Sequence, residues 1–352
     1  MKVAVIACAN GLGHVKRLIR IINRLADRTS DFKATLFCEP WQKVSLESWS
    51  EYRRFRKRPD VEIVPVSLPI RWNSDQGYYG DWLWMWHTII STWELPRFDY
   101  VLSDNLVEPL LYADRVILSG SFLWHDVLAA AFPADQEVRR YNEWAEDIML
   151  STHPDMIVNR YFAMPATEQQ ARAFEVGLIH FCDAVGSERD KRLPKRVLVA
   201  LGNAESADEQ LEQVVSAMPV LDEVGAKVLC PCRWHRVLSR RCANVEPCDF
   251  DGYQLKGVDL AIIRGGLGTV SDCIAAKVPM LYVRDCDPEI EFNQGRLSDL
   301  GIGMSLQHSL QNRDSPLTDS HVYRAMVERC KGFALQGEIE AADFLLTRWG
   351  GD

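Results

Sequence analysis

The chain has 352 residues, of which 47% are hydrophobic and 25% charged, and its formal net charge is −9. This length is too great for one ordinary hydrophobic core and suits two domains of about 150–180 residues each. Because phosphate backbones require a basic face, the acidic balance argues against nucleic acid as the main partner.

The cysteines and the apolar runs bear on the cellular setting. Several of the ten cysteines lie within apolar runs, where a free thiol behaves as a small hydrophobe. The stretch Met1–Ala7 predicts a first strand and not a secretory leader, and no run of 18 apolar residues predicts a membrane span. The spacing of Cys230, Cys232, Cys242 and Cys248 fits none of the usual zinc pairs, so no metal site is expected. We expect a cytoplasmic protein with reduced thiols.

One local exception to the acidic balance is the basic cluster at residues 53–58, which holds four arginines and one lysine. Such a cluster is typical either of a solvated helix end or of a surface that contacts anionic lipid or phosphate. Peripheral contact at the inner face of a membrane is therefore the alternative to a purely cytoplasmic location.

Short apolar runs alternate with helical patterns through the first half of the chain. Apolar residues recur at helical spacing between Val15 and Asp27, which predicts a helix. Short strands separated by helices indicate a parallel sheet with helices on both faces. The predicted strands are Val3–Ala7, Lys33–Cys38, Val61–Pro65, Tyr100–Ser103 and Val116–Ser119.

The same alternation begins again at Arg196, after the charged stretch Asp183–Lys195 that is typical of a linker. The sequence therefore predicts an N-terminal domain over residues 1–185 and a C-terminal domain over residues 195–352. Helices are predicted at about Ala207–Met218 and Glu338–Trp349. The predicted strands are Arg196–Leu201, Ala226–Leu229, Asp259–Ile263 and Met280–Val283.

The strongest functional signal follows the strand Asp259–Ile263 and reads Arg264-Gly265-Gly266-Leu267-Gly268-Thr269. Glycine lets the backbone approach a bulky anion. A helix predicted from about Thr269 would direct its free N–H groups and positive end toward a diphosphate. Arg264 can add a bidentate contact, and Asp272 can accept hydrogen bonds from ribose. The alternative is a tight turn at a buried strand–helix junction.

The stretch from Arg264 to Gly303 resembles the donor-binding core of the GT-B glycosyltransferases. It is most similar to the peptidoglycan N-acetylglucosaminyltransferase, the glycopeptide-antibiotic glycosyltransferases and the glucuronosyltransferases. The resemblance implies an α/β fold of two Rossmann-like lobes with parallel sheets and an interdomain cleft, in which the C-terminal lobe binds the donor. It leaves open that the last helix packs back on the first lobe. The pattern comprises the Gly-rich turn, Asp272, Ala275-Ala276-Lys277-Val278-Pro279, Glu289–Gln294 and Gly301-Ile302-Gly303.

The resemblance also implies which residues face a nucleotide-diphosphate sugar. The Gly-rich turn would hold the phosphates, Asp272 the ribose and the segment from Glu289 the sugar. Gly202 and Asn203 form either a phosphate contact or a plain turn, and Phe250 either reads the base or packs in the core. The donor-binding prediction comprises Gly202, Asn203, Phe250, Arg264, Gly265, Gly266, Leu267, Gly268, Thr269, Asp272, Glu289, Glu291, Asn293 and Gln294.

A second signal follows the first strand and reads Asn10-Gly11-Leu12-Gly13-His14, without the third glycine of a dinucleotide fingerprint. A neutral imidazole at a helix start can remove a proton from an acceptor hydroxyl. Glucuronosyltransferase-like enzymes place their base histidine at this point, and the resemblance pairs His14 with Asp104. Glu108 is a weaker alternative partner. A helix-capping or phosphate-binding His14 and a turn-capping Asp104 stay open.

An aromatic-rich segment spans Arg71–Trp93. Flat aromatic side chains stack on sugar rings and apolar aglycones, lie at a membrane interface or pack in a core. Three of its tryptophans alternate in sequence and share a face only if the segment is extended. Since the N-terminal lobe binds acceptors in the resembled family, the acceptor-binding prediction comprises Gly11, Gly13, Trp82, Trp84, Trp86 and His87.

These residues together predict an inverting, metal-independent glycosyltransferase in which His14 and Asp104 deprotonate an acceptor hydroxyl. Uridine diphosphate is the first candidate carrier and thymidine diphosphate the second, by resemblance. The nucleotide-sugar is a co-substrate, no separate cofactor is expected, and the acceptor is a small molecule, a glycan or a lipid-linked sugar. A nucleotide-sugar hydrolase resembling the pseudaminic acid pathway enzyme and a non-catalytic nucleotide-sugar sensor are the alternatives.

Overall fold

The computed structural model describes residues 1–68, 72–73, 77–78, 81–182, 193–202, 207–248 and 255–350, with residues 72–73, 77–78, 81–82 and 207–209 described by their backbone alone. Most of the predicted linker, Asn203 and Phe250 lie outside the described residues. The chain divides into two compact units. Unit 1 comprises Met1–Ile179, Asp287–Glu289 and Gln336–Asp352, and unit 2 comprises His180–Cys286 and Ile290–Leu335.

Unit 1 is built on a seven-stranded sheet, in which every pair of neighbouring strands is parallel. Its described strands are β1 (Lys2–Ile6), β2 (Lys33–Cys38), β3 (Val61–Pro65), β6 (Tyr100–Asp104), β7 (Val116–Ser119), β8 (Asp155–Asn159) and β9 (Arg172–Val176), and a separate antiparallel pair consists of β4 (Trp72–Asn73) and β5 (Gly77–Tyr78). The order in the sheet is β3-β2-β1-β6-β7-β8-β9. Successive strands after β1 are added on one side as far as β3 and on the other side from β6 onward. The position between β1 and β6 is thus a topological switch point, where open α/β sheets bind ligands.

Helices connect these strands. They are α1 (Leu12–Ala26), α2 (Pro40–Ser45), α3 (Ser50–Arg56), α4 (Asp81–Ser91), α5 (Trp124–Ala131), α6 (Gln136–Thr152) and α7 (Pro165–Gln170). The five predicted strands of this half are confirmed to within one residue at each end, whereas β8 and β9 were not predicted. Helix α1 begins at Leu12 and not at Val15, because Gly11 adopts a positive φ of 84° and ends the preceding loop there.

The central strands of unit 1 are mostly apolar because both faces of a parallel sheet are covered, whereas the edge strands β3 and β9 are partly exposed. Ile6, Val101 and Leu118 of β1, β6 and β7 share one hydrophobic cluster with Trp86 of α4 and Tyr141 of α6. Trp86 and Tyr141 are each only 1% exposed. Complete burial of a large apolar side chain stabilises a fold by roughly 2–3 kcal/mol.

Unit 2 is built on a six-stranded sheet whose neighbouring strands are also parallel. Its described strands are β10 (Arg196–Ala200), β11 (Lys227–Cys230), β12 (Val245–Pro247), β13 (Leu260–Ile263), β14 (Met280–Tyr282) and β15 (Gly303–Ser305). The order β12-β11-β10-β13-β14-β15 reverses between β10 and β13. The helices are α8 (Ala207–Glu223), α9 (Cys232–Leu238), α10 (Leu267–Ala275), α11 (Pro288–Asp299), α12 (Leu306–Gln311) and α13 (Ser320–Arg329).

The last helix, α14 (Gly337–Trp349), belongs to unit 1. Near its start the buried Glu338 accepts a hydrogen bond from Arg20 of α1 at 3.2 Å. At its end the ring of Trp349 stacks on Tyr100 of β6 with centroids 4.9 Å apart, and the Tyr100 hydroxyl donates to the Trp349 carbonyl oxygen. Both ends of α14 are therefore attached to elements that flank the switch point of this sheet.

The basic cluster at residues 53–58 is largely paired with acidic side chains. Arg54 and Arg58 bind Asp27 at 2.8 and 3.0 Å, and Arg56 binds Glu47 at 2.6 Å. These partners favour the solvated helix end over an anion-binding surface, so peripheral membrane contact stays a prediction. Among the described residues, no helix combines the length and the apolar character that a membrane span requires.

We predict that Gly337→Ala destabilises the docking of α14. A Cβ atom added at this position would lie 2.1 Å from the carbonyl oxygen of Gly177, and a backbone oxygen cannot rotate away. The expected loss is about 2 kcal/mol, seen as a lower midpoint in thermal unfolding. Gly295→Ala is the control, because a Cβ added at this exposed glycine of α11 would have no atom within 4 Å. It should stabilise by about 0.5–1 kcal/mol. Equal midpoints for the two variants would contradict this account of α14.

Candidate active site

A histidine–aspartate pair occupies the switch point of the unit 1 sheet. His14 lies in the first turn of α1, directly after β1, and Asp104 is the last residue of β6. The His14 Nδ1 atom lies 2.6 Å from Asp104 Oδ2. The imidazole also packs edge-on against the ring of Phe122, with centroids 6.0 Å apart. Parallel β1 and β6 end at the same edge of the sheet, which explains why residues 90 positions apart meet here.

Arg17 binds the other oxygen of the same carboxylate, since its Nη2 atom donates to Asp104 Oδ1. Arg17 was not predicted from the sequence, although positions i and i+3 of a helix share a face and Arg17 lies three residues after His14. The Asp104 side chain is completely buried, whereas those of His14 and Arg17 are 11% and 15% exposed. The carboxylate is thus enclosed by two nitrogen-bearing side chains of α1.

The charge of Asp104 depends on these two partners. Burial alone would raise the pKa of this carboxyl, but the positive charge of Arg17 and the contacts with His14 outweigh burial and lower the pKa. Asp104 is therefore ionised at neutral pH.

Cys8 lies close by and accepts a hydrogen bond from Trp124 Nε1 at 3.2 Å. Burial, and then the negative charge of Asp104, raises the pKa of the Cys8 thiol, which stays neutral.

Glu108, the alternative partner for His14, belongs to a different environment. It is fully buried and accepts a hydrogen bond from the Tyr141 hydroxyl at 2.8 Å. Burial raises the pKa of Glu108 to about 7, against the opposing effect of the Tyr141 hydroxyl. Asp104, and not Glu108, is the carboxylate that contacts His14.

The Gly-rich turn occupies the switch point of the unit 2 sheet, directly after β13. Gly265 has a φ of +122°, which L side chains rarely adopt, and a Cβ there would lie 3.2 Å from Gln294 Cγ. Helix α10 begins at Leu267, two residues earlier than predicted, because Gly266 is its N-cap residue. No side chain caps this helix start, so its first N–H groups and its positive end are directed at the turn.

Asn293 and Gln294 hold the backbone of this turn. Asn293 Nδ2 donates to the Gly265 carbonyl oxygen at 3.2 Å, and Gln294 Nε2 donates to the carbonyl oxygens of Arg264 and Val283 at 2.6 and 2.8 Å. Both side chains are buried in α11. Their contacts are thus to the turn itself, and a direct contact with a donor sugar stays a prediction.

Arg264 is paired with a buried acid. Its Nε atom lies 2.5 Å from Asp285 Oδ2, and Gln210 of α8 donates to the same oxygen. Asp285 is 7% exposed. The sequence pattern predicted that the positive charge of Arg264 serves a diphosphate, but Asp285 compensates that charge locally. This makes the helix start a more important source of positive potential than Arg264.

Asp272 contacts the segment at the start of unit 2. Its Oδ1 atom accepts hydrogen bonds from the backbone N–H groups of Phe181 and Cys182 at 2.5 and 2.9 Å. A ribose would compete with these donors for that oxygen, so the ribose contact stays a prediction. His180, Cys182 and Asp272 have ligand atoms within 4.8 Å of one another and form the one group of metal-ligating side chains found among the described residues. However, His180 Nδ1 is hydrogen-bonded to the Cys182 carbonyl oxygen at 2.9 Å, so this nitrogen would have to leave that bond to bind a metal ion.

Residues Asp81–Ser91 of the aromatic segment form helix α4, so Trp82, Trp84 and Trp86 do not share an extended face. Trp86 is 1% exposed and packs against Trp124 at 5.8 Å, which favours a role in core packing, and its contact with an acceptor stays a prediction. Trp84 is half-buried against Trp144 at 5.3 Å. His87 lies 2.8 Å from the Tyr112 hydroxyl. The side chain of Trp82 lies outside the described part of the chain.

The remaining predicted residues lie at the ends of these same strands and helices. Gly202, directly after β10, has a φ of +78°, and its carbonyl oxygen accepts a hydrogen bond from Arg233 at 2.7 Å. A Cβ added at Gly11 or Gly13 would have no atom within 4 Å, so there is open space beside His14. Glu289 is half-buried and Glu291 exposed at the start of α11. Leu267, Gly268 and Thr269 form the first turn of α10.

We predict that the buried Glu108 makes stability pH-dependent. Because its pKa rises from 4.5 to about 7 on folding, folding takes up a proton between these values, and the stabilisation present below pH 4.5 is lost as pH rises through about 7. The amide introduced by Glu108→Gln cannot titrate. The unfolding free energy of this variant relative to wild type should therefore increase by about 3 kcal/mol from pH ~4 to pH ~8. Urea unfolding at several pH values measures this difference, and a flat difference would contradict the assignment.

Comparison with known proteins supports the fold. No protein-family model matches the sequence, and no curated protein resembles it significantly. A solved glycotransferase of kitacinnamycin is 18% identical, covers 99% of this chain and 98% of its own, and superposes with a TM-score of 0.63. Two further solved structures are similar. The glycosyltransferase VinC in complex with dTDP is 13% identical, covers 100% of both chains and superposes with a TM-score of 0.63. UGT71G1 of Medicago truncatula with UDP-glucose is 13% identical, covers 99% of this chain and 98% of its own, and superposes with a TM-score of 0.62. The predicted resemblance to GT-B glycosyltransferases and the two-lobe α/β fold class are thereby confirmed.

Proposed function

We propose that the chain is an inverting glycosyltransferase that moves a sugar from a nucleoside-diphosphate donor to an acceptor hydroxyl. One observation carries the proposal: in each of the two sheets, residues suited to a step of sugar transfer lie at the switch point. The histidine–aspartate pair lies at that of unit 1, and the glycine-rich turn with an uncapped helix start lies at that of unit 2. Switch points are the ligand-binding positions of open α/β sheets.

In the proposed reaction His14 is the general base. Its Nδ1 atom is bound to Asp104, so Nε2 is the nitrogen that takes the proton from the acceptor hydroxyl. The buried carboxylate fixes the ring orientation and tautomer and stabilises the imidazolium that forms. The acceptor oxygen then bonds to the anomeric carbon from the face opposite the diphosphate, and the carbon–oxygen bond to the diphosphate breaks. This displacement inverts the anomeric configuration.

The unit 2 turn would stabilise the leaving diphosphate. Charge develops on the bridging oxygen as the bond breaks, and the first N–H groups of α10 can donate to it. Gln294 and Asn293 hold the turn in the required conformation before the donor arrives. Because the helix start supplies positive potential, the proposed reaction requires no metal ion.

The donor is proposed by similarity. One similar solved protein contains dTDP and another UDP-glucose. Uridine diphosphate is our first candidate carrier and thymidine diphosphate the second. The acceptor stays open among small molecules, glycans and lipid-linked sugars.

The direct test is to incubate the full chain with UDP- and dTDP-sugars, with and without a panel of hydroxyl acceptors. We expect slow release of free sugar without an acceptor and faster nucleotide release when the correct acceptor is added. Rapid hydrolysis without any acceptor would make the protein a nucleotide-sugar hydrolase. Tight binding of a nucleotide-sugar without turnover would make it a sensor.

We predict that His14→Ala lowers kcat by at least about 10²-fold and leaves donor affinity nearly unchanged, since a general base acts in the transition state. Calorimetric titration with UDP measures the affinity separately from the rate. Gln294→Ala is the complementary variant, because it removes two hydrogen bonds that hold the turn. It should weaken UDP binding roughly tenfold. If His14→Ala lost UDP binding instead, the histidine would be a phosphate ligand.

A further inference from the structure

Arg17 makes the environment of the base unusual. A histidine–aspartate pair needs only one carboxylate oxygen for the hydrogen bond that orients the ring. Here Arg17 occupies the second oxygen of Asp104, and it projects from the same helix α1 as His14. With Arg17 in place the carboxylate is completely buried, so Arg17 and His14 are the side chains that stabilise its charge.

The three charges can be counted for each protonation state. With neutral His14, the ionised Asp104 and Arg17 sum to zero. If the histidine gains a proton, the group carries one net positive charge in a buried environment. Without Arg17, the same proton would convert a lone buried negative charge into a neutral ion pair, which burial favours. Arg17 therefore opposes protonation of the pair.

We propose that Arg17 is a positioning residue that holds Asp104 as an ionised hydrogen-bond acceptor for His14 and opposes the gain of a proton by the pair. The inference rests on the proposed function of His14 as a base. Arg17 does not touch the reacting hydroxyl in this mechanism. It fixes one carboxylate oxygen, which leaves the other for His14, and its positive charge opposes a second positive charge beside Asp104.

The other groups near Asp104 do not replace Arg17. Cys8, which follows β1, is a neutral thiol because burial raises its pKa. Glu289 acts on Cys8 as a negative charge and so cannot offset Asp104. Phe122, which follows β7, contacts His14 through an apolar ring. Among the described side chains that bind the Asp104 carboxylate, Arg17 is the permanent cation.

Helix α1 offers a matched control. Arg20, three residues after Arg17, also binds a buried carboxylate, that of Glu338, at 3.2 Å, and its side chain is 10% exposed. Arg20→Gln thus removes a similarly buried ion pair from the same helix without changing the charge beside Asp104. Arg17→Gln removes the charge beside Asp104, and Arg17→Lys keeps the charge but loses the planar guanidinium group with its paired N–H donors.

The first measurement is the pH dependence of kcat/KM for wild type and all three variants. The second is an NMR titration of the histidine-labelled full chain without substrate, which follows the proton uptake of the His14–Asp104 pair. The His14 signal is assigned by its absence in His14→Gln. We expect Arg17→Gln to shift the acid limb and the NMR transition upward by about one pH unit. On the acid side of this limb kcat/KM should fall about tenfold relative to wild type, and it should recover at higher pH. Arg17→Lys and Arg20→Gln should keep both transitions near wild type.

Two outcomes would overturn the inference. One is a loss of activity in Arg17→Gln that is equal at every pH, with an unmoved NMR transition, which indicates a merely structural clamp. The other is the same behaviour in Arg17→Gln and Arg20→Gln. If wild type transferred no sugar from any donor, the proposed function would fail, but the NMR transition would still decide whether Arg17 controls protonation of the pair.

Discussion

A carboxylate without exposed surface stays ionised only when positive or hydrogen-donating groups surround it. Asp104 satisfies this requirement with His14 on one oxygen and Arg17 on the other. That single arrangement fixes the first turn of α1 against the end of β6. It also determines which imidazole nitrogen remains for chemistry, so the position of the first turn of α1 and the proposed base catalysis depend on the same buried charge.

The switch point of unit 2 is organised by hydrogen bonds to backbone groups, whereas that of unit 1 is organised by charged side chains. Its turn needs a positive φ at Gly265, and carbonyl oxygens of the turn accept hydrogen bonds from amide side chains of α11. No side chain caps the start of α10, so its first N–H groups remain directed at the turn. A preorganised set of backbone donors needs little reorganisation when an anion binds.

Much of this arrangement could be predicted from the sequence, for local reasons. Short apolar strands and glycine-rich turns are local signals, and the His14–Asp104 pairing followed from two strand ends and a family resemblance. Contacts between separate elements could not be predicted in this way. Arg264 and Asp285 meet across 21 residues, and nothing in the local pattern of Arg264 marks its charge as compensated. The alternating tryptophans suggested an extended face, whereas tertiary packing placed Trp86 of a helix in the core.

The proposed function requires a nucleoside diphosphate to bind at the start of α10. A crystal structure of the full chain with a non-transferable fluorinated UDP-sugar tests it most directly. We expect the diphosphate oxygens within hydrogen-bond distance of the N–H groups of Leu267, Gly268 or Thr269. A nucleotide bound away from this helix start would contradict the account.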